Sequence, residues 1–259
     1  MAVSGRSKFH PLPKRHWDAD MVYGVHPVEL ALQTNKRQAF KLYLREGASS
    51  NRLAHIVQLA SRMELNSRFT DGRELETLCG SPNHQGVVLE CGPLPRGGER
   101  EAIDAAKRAE SILLVLDQVN DPQNLGAAIR NAAVFALDGV VVPRQQSAPL
   151  SPAASKASAG RMEEIPIYEV ANLARFLGLC RKSSVWVLGA EQGAAVALGR
   201  YRPVRPLVVV MGGEHKGLRP LVKSNCDELV AIPTRGGGSL NVAAATAIIL
   251  YHLTANDDP

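Results

Sequence analysis

Val208-Val209-Val210-Met211-Gly212-Gly213-Glu214-His215-Lys216-Gly217-Leu218 passes from an unbroken apolar run straight into glycines and charge. The run begins at Leu207 and shows no polar alternation. It therefore predicts a strand covered on both faces, as in a parallel sheet with helices on either side. The glycines allow a turn and a close backbone approach by a ligand, and plain turn glycines account for them as well. Their spacing is neither G-x-G-x-x-G nor a Walker loop, because no G-K-[ST] follows. In open α/β sheets, ligands gather beyond the carboxyl ends of strands, so the end of this run is the first place to look for a site.

Working outward, Ile112 to Val119, Gly139 to Pro143, Val185 to Gly189 and Leu229 to Ile232 predict further apolar strands. Helical patterns alternate with them at Asn124 to Leu137, Pro152 to Ala159, Asn172 to Cys180 and Leu240 to Leu253, with Asn172 placed to cap its helix. Strands alternating with helices predict an α/β fold built on a parallel sheet. Upstream lies a smaller α/β unit. It has a helix over Val28 to Gln33 with Pro27 at its first position, a strand over Phe40 to Leu44, a helix over Arg52 to Met63 and a strand at Gly86 to Leu89. Gly92-Pro93-Leu94-Pro95-Arg96-Gly97-Gly98 is the best linker in the chain, followed by a helix around Ala102 to Ala109. The expected division is a basic flexible tail over 1–17, a first domain over 18–92, a linker over 93–98 and a second domain over 99–259.

The 259 residues are 45 % hydrophobic and 21 % charged, which excludes a disordered chain, a collagen-like fibre and a coiled coil. No window approaches the ~18 apolar residues of a membrane span, and the start carries no secretory h-region. Thirty basic residues against 25 acidic give +5. Arg6, Lys8, Lys14 and Arg15 in the acid-free tail supply most of it, a pattern that can hold phosphates and add salt-sensitive affinity for nucleic acid. Cys79, Cys91, Cys180 and Cys226 form no C-x-x-C and have no histidine at zinc-finger spacing. Scattered thiols in a chain of this size point to a reducing compartment, hence the cytoplasm. No metal site is expected, since H-E-x-x-H and Asp-x-Asp calcium loops are missing, as is G-x-S-x-G. His26 and His84 sit near turns, as structural or RNA-facing residues rather than ligands.

Two further strand ends carry unusual residues. Asp117-Gln118-Val119-Asn120-Asp121-Pro122-Gln123-Asn124-Leu125-Gly126-Ala127-Ala128-Ile129-Arg130 is a strand end, an Asp-Pro turn and a helix opening near Asn124, with Arg130 under two turns later. Taken alone, Asn124 is a helix cap and Arg130 a solvated surface residue. Ile232-Pro233-Thr234-Arg235-Gly236-Gly237-Gly238-Ser239-Leu240-Asn241-Val242 ends a strand in glycines, with Ser239 placed to cap the last helix. This is a phosphate cradle or a plain loop.

Together and in this order, Asn124–Arg130, Met211–Leu218 and Ile232–Val242 resemble the three signature motifs of the SpoU (TrmH-type) branch of the SPOUT RNA 2′-O-ribose methyltransferases. Lys156-Ala-Ser-Ala-Gly160 and Asn172-Leu-Ala-Arg175 also look like family segments. Tyr23-Gly24-Val25-His26-Pro27-Val28 and His84-Gln85-Gly86 resemble the amino-terminal RNA-binding domain of the subgroup that methylates guanosine in 23S rRNA. The resemblance departs in motif three, where Ala243 follows Val242 in place of the family's serine and the glycine loop is about one residue short.

The resemblance implies a ribosomal-protein-like α/β RNA substrate-binding domain followed by a SPOUT methyltransferase domain tied in a trefoil knot, although knots run against the general rule. It implies a homodimer with sites at the interface, S-adenosyl-L-methionine as cofactor, and RNA, in 23S rRNA or a large-subunit precursor, as substrate, with no DNA and no membrane. Gly212, Ile232 and Leu240 would hold adenine and ribose through backbone groups, with Met211 and Ala190 lining the same pocket. Asn124, Arg130 and Glu214 would face the substrate as catalytic residues. Arg130 matches the family's proposed base, yet arginine keeps its proton up to a pKa above ~12. A clamp on the RNA phosphate that orients the ribose suits it better, with Asn124 and Glu214 fixing Arg130. The competing readings are the same chemistry on tRNA, a catalytically weak RNA-binding ribosome-assembly factor, and an unrelated nucleotide-binding α/β enzyme.

Overall fold

A computed structural model describes residues 19–48, 50–213, 217–236 and 238–255. The expected basic tail and Glu214 lie outside them. The chain forms two sheets. The first unit runs β1 (Asp20–Tyr23), α1 (Val25–Thr34), β2 (Ala39–Arg45), α2 (Asn51–Arg62), β3 (Ser67–Thr70), α3 (Gly72–Cys79) and β4 (Val87–Cys91), with strand order β1-β4-β2-β3. The second runs α4 (Glu99–Ala106), β5 (Ile112–Asp117), α5 (Pro122–Val134), β6 (Gly139–Pro143), α6 (Pro152–Ala157), β7 (Ile167–Val170), α7 (Leu173–Lys182), β8 (Trp186–Ala190), β9 (Val196–Ala197), β10 (Leu207–Gly212), α8 (Pro220–Lys223), β11 (Glu228–Ala231) and α9 (Val242–Thr254). Its seven strands are all parallel, in the order β7-β6-β5-β10-β8-β11-β9.

The apolar run Leu207–Gly212 is the central strand of this sheet. β10 pairs with β5 from Leu207↔Ile112 to Gly212↔Asp117, and with β8 from Leu207↔Trp186 to Met211↔Ala190. Successive side chains point to opposite faces, so both faces need apolar residues. Leu207, Val209 and Met211 join the core under α5 and α9, while Val208 and Val210 join the core under α4 and α7. Thr246 interrupts the apolar α9 without cost, because its buried hydroxyl donates to the Val242 carbonyl at 2.6 Å.

Three helix starts differ from expectation, each because a better acceptor lies nearby. α1 begins at Val25, so Pro27 is its third residue. Gly24 at φ 92° turns the chain and the Gln85 side-chain oxygen accepts from the Val25 amide. α5 begins at Pro122 under an Asp121 cap that accepts from the Gln123 amide, rather than at Asn124. α9 is capped by Asn241, which accepts from the Ala244 amide at 2.7 Å, rather than by Ser239. β3 and α3 were not expected: Ser67-Arg-Phe-Thr is too short and too polar to show a period.

The two units meet along α1, α6 and the 3-10 turn Arg161–Glu163. Arg37 and Glu163, both buried, share two 2.8 Å hydrogen bonds, and Arg37 also donates to Asp20 at 2.6 Å. Burial opposes the Arg37 charge. The Glu163 hydrogen bonds and charge, with help from Asp20, outweigh it and hold the pKa above the ordinary value. Gly160 at φ 84° lets α1 lie directly on this turn, since a Cβ there would fall 2.8 Å from the Pro27 Cα. Gly97 exchanges two 2.9 Å hydrogen bonds with the edge strand β7, through Ile167 and Glu169.

Candidate active site

The carboxyl ends of β8, β10 and β11 and the start of α9 enclose a cavity of about 480 Å³, within the usual range for a small-molecule site. Ala190, Met211, Gly212, Ile232 and Leu240, five residues scattered over 51 positions of sequence, all line it. The parallel register brings them together: Met211 lies opposite Ala190, and β11 pairs with β8 up to Val230↔Ala190.

The wall is built from backbone. A Cβ on Gly212 would fall 2.2 Å from the Gly217 carbonyl carbon and 2.5 Å from the Leu218 nitrogen. The chain therefore doubles back against Gly212, with the Gly217 amide donating to the Gly213 carbonyl at 3.1 Å. The far end of this turn is pinned to β5. Asp117, fully buried, accepts from the Arg219 backbone amide at 3.0 Å and from its Nε at 2.7 Å.

The residues expected to face the substrate stand apart from the cavity lining. Arg130 and Asn124 are on α5, and neither lines the cavity. α5 is tied to the cavity wall one residue further on, where Asn131 Nδ2 donates to the Ala243 carbonyl at 2.8 Å. The alanine that departs from the family motif thus contributes through its backbone. Arg130 is exposed and makes no ion pair among the described residues. Arg130 and Val134 are four residues apart and so share one face of α5.

Sequence reasoning missed Glu191, which also lines the cavity. It follows Ala190 directly, and a carboxylate just past a strand end was the available signal. The family-like Lys156 lies instead at the junction of the units. Its Nζ donates to Gln85 Oε1 at 2.6 Å, and burial lowers its pKa. Exposed His26 and Arg52 touch nearby. The four cysteines are free thiols, and burial pushes Cys91, Cys180 and Cys226 up to about 12, which leaves them inert at neutral pH.

The SpoU rRNA Methylase family model matches residues 111–251, the whole sheet that carries the cavity. The chain belongs to the SpoU rRNA methylase family. A second model, for RNA 2′-O ribose methyltransferase substrate binding, matches residues 21–96, the first sheet. Among this methylase's relatives, 23S rRNA (guanosine-2′-O-)-methyltransferase RlmB of Pseudomonas syringae pv. tomato is 37 % identical over 235 residues, 90 % of this chain and 94 % of the relative. The fold is similar to that of an AdoMet-bound rRNA methyltransferase from Sinorhizobium meliloti, with a TM-score of 0.78 at 23 % identity, covering 93 % of this chain and 89 % of the other. A structure concerned with 2-OH methylation of C/U34 on tRNA matches with a TM-score of 0.50 at 25 % identity, covering 56 % of this chain and 94 % of the other.

Proposed function

We propose that this member of the SpoU family methylates the 2′-oxygen of a guanosine ribose in 23S rRNA or its precursor, in the cytoplasm, using S-adenosyl-L-methionine. The observation that carries this reading is the convergence of motif two and motif three on one backbone-walled cavity beside the helix of motif one. Full-length similarity to rRNA-named relatives supports rRNA over tRNA, since the tRNA-related structure covers little more than half of the chain.

The cavity fits the cofactor. Gly212, Ile232 and Leu240 offer backbone donors and acceptors for adenine and ribose, Met211 and Ala190 supply apolar contact, and Glu191 adds an acceptor with a free oxygen. S-adenosylmethionine, when bound, supplies an activated methyl group. Arg130, without an ion pair among the described residues, grips an RNA phosphate and orients the ribose, so that positioning provides much of the rate. Asn124 and Glu214 fix the surroundings of Arg130. The first unit, read as the RNA-binding domain over 18–92 and joined through 93–98 to the catalytic domain over 99–259, holds the RNA with exposed side chains such as Arg52 and His26.

The same reading includes a homodimer and a knot. α9 is apolar all round, and a helix of that kind is covered on all sides. Ile248 and Tyr251 on α9 and Val134 on the neighbouring α5 are exposed, at 41 %, 65 % and 60 %. Pairing two copies through this face covers them and sets Arg130 at the interface. The insertion of β10 between β5 and β8, with the chain folded tightly against Gly212, supports the knotted path.

The test is methyl transfer from labelled S-adenosylmethionine to unmodified 23S rRNA and bulk tRNA in parallel, followed by digestion to nucleosides. Label in 2′-O-methylguanosine from 23S rRNA is expected, with a loss of about a hundredfold or more in Arg130→Ala. Label confined to tRNA overturns the substrate. Cofactor binding without transfer to either RNA or to ribosomal particles overturns the activity.

A further inference from the structure

Glu191 is the one charged residue among the described residues that line this cavity. Its position is well fixed: the amide donates to the Val230 carbonyl at 3.0 Å, and Oε1 accepts from Lys223 Nζ at 3.0 Å. Its second oxygen, Oε2, is buried and has no hydrogen-bond partner among the described residues. Oε2 lies against Gly217, where a Cβ would come within 3.1 Å of it, and both residues belong to the cavity wall. A buried carboxylate oxygen without a donor costs free energy, and this one belongs to a residue of the cavity wall.

We infer that Glu191 Oε2 binds the ribose hydroxyls of the nucleoside in this cavity and so selects a ribonucleoside over a deoxynucleoside. This rests on the cofactor assignment above and adds a residue to it. The chemistry favours a diol over a cation. Lys223 already offsets the charge of the carboxylate and would repel a second ammonium or sulfonium on the same group. Two neutral hydroxyl donors match the two lone pairs of an oxygen that is otherwise unused. The placement is also the one at which a carboxylate beyond a parallel strand meets a ribose in dinucleotide folds, reached here on a different sheet. Glu191 is thus a binding residue that holds the nucleoside rather than the reacting groups.

The test is calorimetric binding of two probes, 5′-methylthioadenosine and its 2′,3′-dideoxy analogue, to the full-length wild type, Glu191→Gln and Glu191→Leu. Neither probe carries an amino-acid end or a sulfonium. Wild type is expected to prefer the ribonucleoside by roughly tenfold or more, the range of one hydrogen bond to a charged group. Both variants should lose most of that preference while the dideoxy affinity stays within about twofold. Thermal unfolding of each variant separates a folding defect from a binding one. Equal losses on both probes would make Glu191 a structural residue, and an unmoved preference would remove it from the ribose; either overturns the inference. Failure of wild type to bind even S-adenosylhomocysteine overturns the cofactor assignment and this inference together. Tight S-adenosylhomocysteine binding with no ribose preference overturns the inference alone.

Discussion

The cavity and the junction between the two units are both closely packed, and they are made of opposite materials. The cavity wall at Gly212 is bare backbone, with main-chain atoms where a Cβ would sit. The junction is closed by side-chain charge, a buried Arg37–Glu163 pair joined by the partly exposed Asp20. A ligand that must touch the main chain requires that side chains be removed. Two domains that must keep one orientation require contacts that work in only one geometry, and a bidentate guanidinium–carboxylate pair supplies that.

The largest expected effect is at the junction. Arg37→Met leaves Glu163 charged and buried without a partner, and should cost about 3–5 kcal/mol in chemical denaturation. Arg37→Met combined with Glu163→Met should recover much of that loss, because an apolar pair of similar volume replaces two desolvated charges. A single-variant loss below about 1 kcal/mol, the scale of an exposed pair, would mean that packing rather than charge holds the units together.

The next effect is at the cavity. Gly212→Ala forces the Gly217–Leu218 backbone outward and should cost about 1–3 kcal/mol of stability, with at least a tenfold loss of S-adenosylhomocysteine affinity by calorimetry. Gly236→Ala is the control, since nothing lies within 4 Å of a Cβ there. It should stay within about 0.5 kcal/mol. Equal behaviour of the two glycines would erase the contrast between wall and loop.

The smallest effect concerns His84 in the first unit. Burial lowers its pKa below the usual 6.5; a hydrogen bond with the Gly72 backbone opposes this, and the Arg45 and Lys156 charges add to the lowering. Its Nδ1 accepts from the Gly86 amide at 3.0 Å, which requires an unprotonated nitrogen. The unfolded chain takes up a proton below about 6.5 that the folded chain resists, so stability is full above that pH and falls as pH drops through it. His84→Asn keeps an acceptor and removes the titration. The fall in thermal midpoint between pH 7.5 and pH 5.5 should therefore be smaller in this variant than in wild type, and identical falls would remove His84 from the account.

The strands of the second sheet were legible because burial on both faces writes itself as unbroken apolar runs such as Leu207–Met211. The five cavity residues were named through the resemblance to the family's motifs, and all five line the cavity. Polar strands such as Ser67–Thr70 were not, since an exposed four-residue edge has no hydrophobic period to show. Helix starts were misplaced by one to three residues wherever several cap residues competed, as at Asp121 and Asn124.

The sequence by itself determined the alternation of strands and helices, the parallel sheet and the family, because periodicity and motif order are local properties of a chain. Only the tertiary structure decided that Arg37 meets Glu163, 126 positions away, that α1 rests on Gly160, and that a Glu191 oxygen unpaired among the described residues lies against Gly217 in the cavity wall. Each of these depends on where a distant segment lies. A charged side chain carries no mark in sequence of whether water, a partner or a ligand will satisfy it.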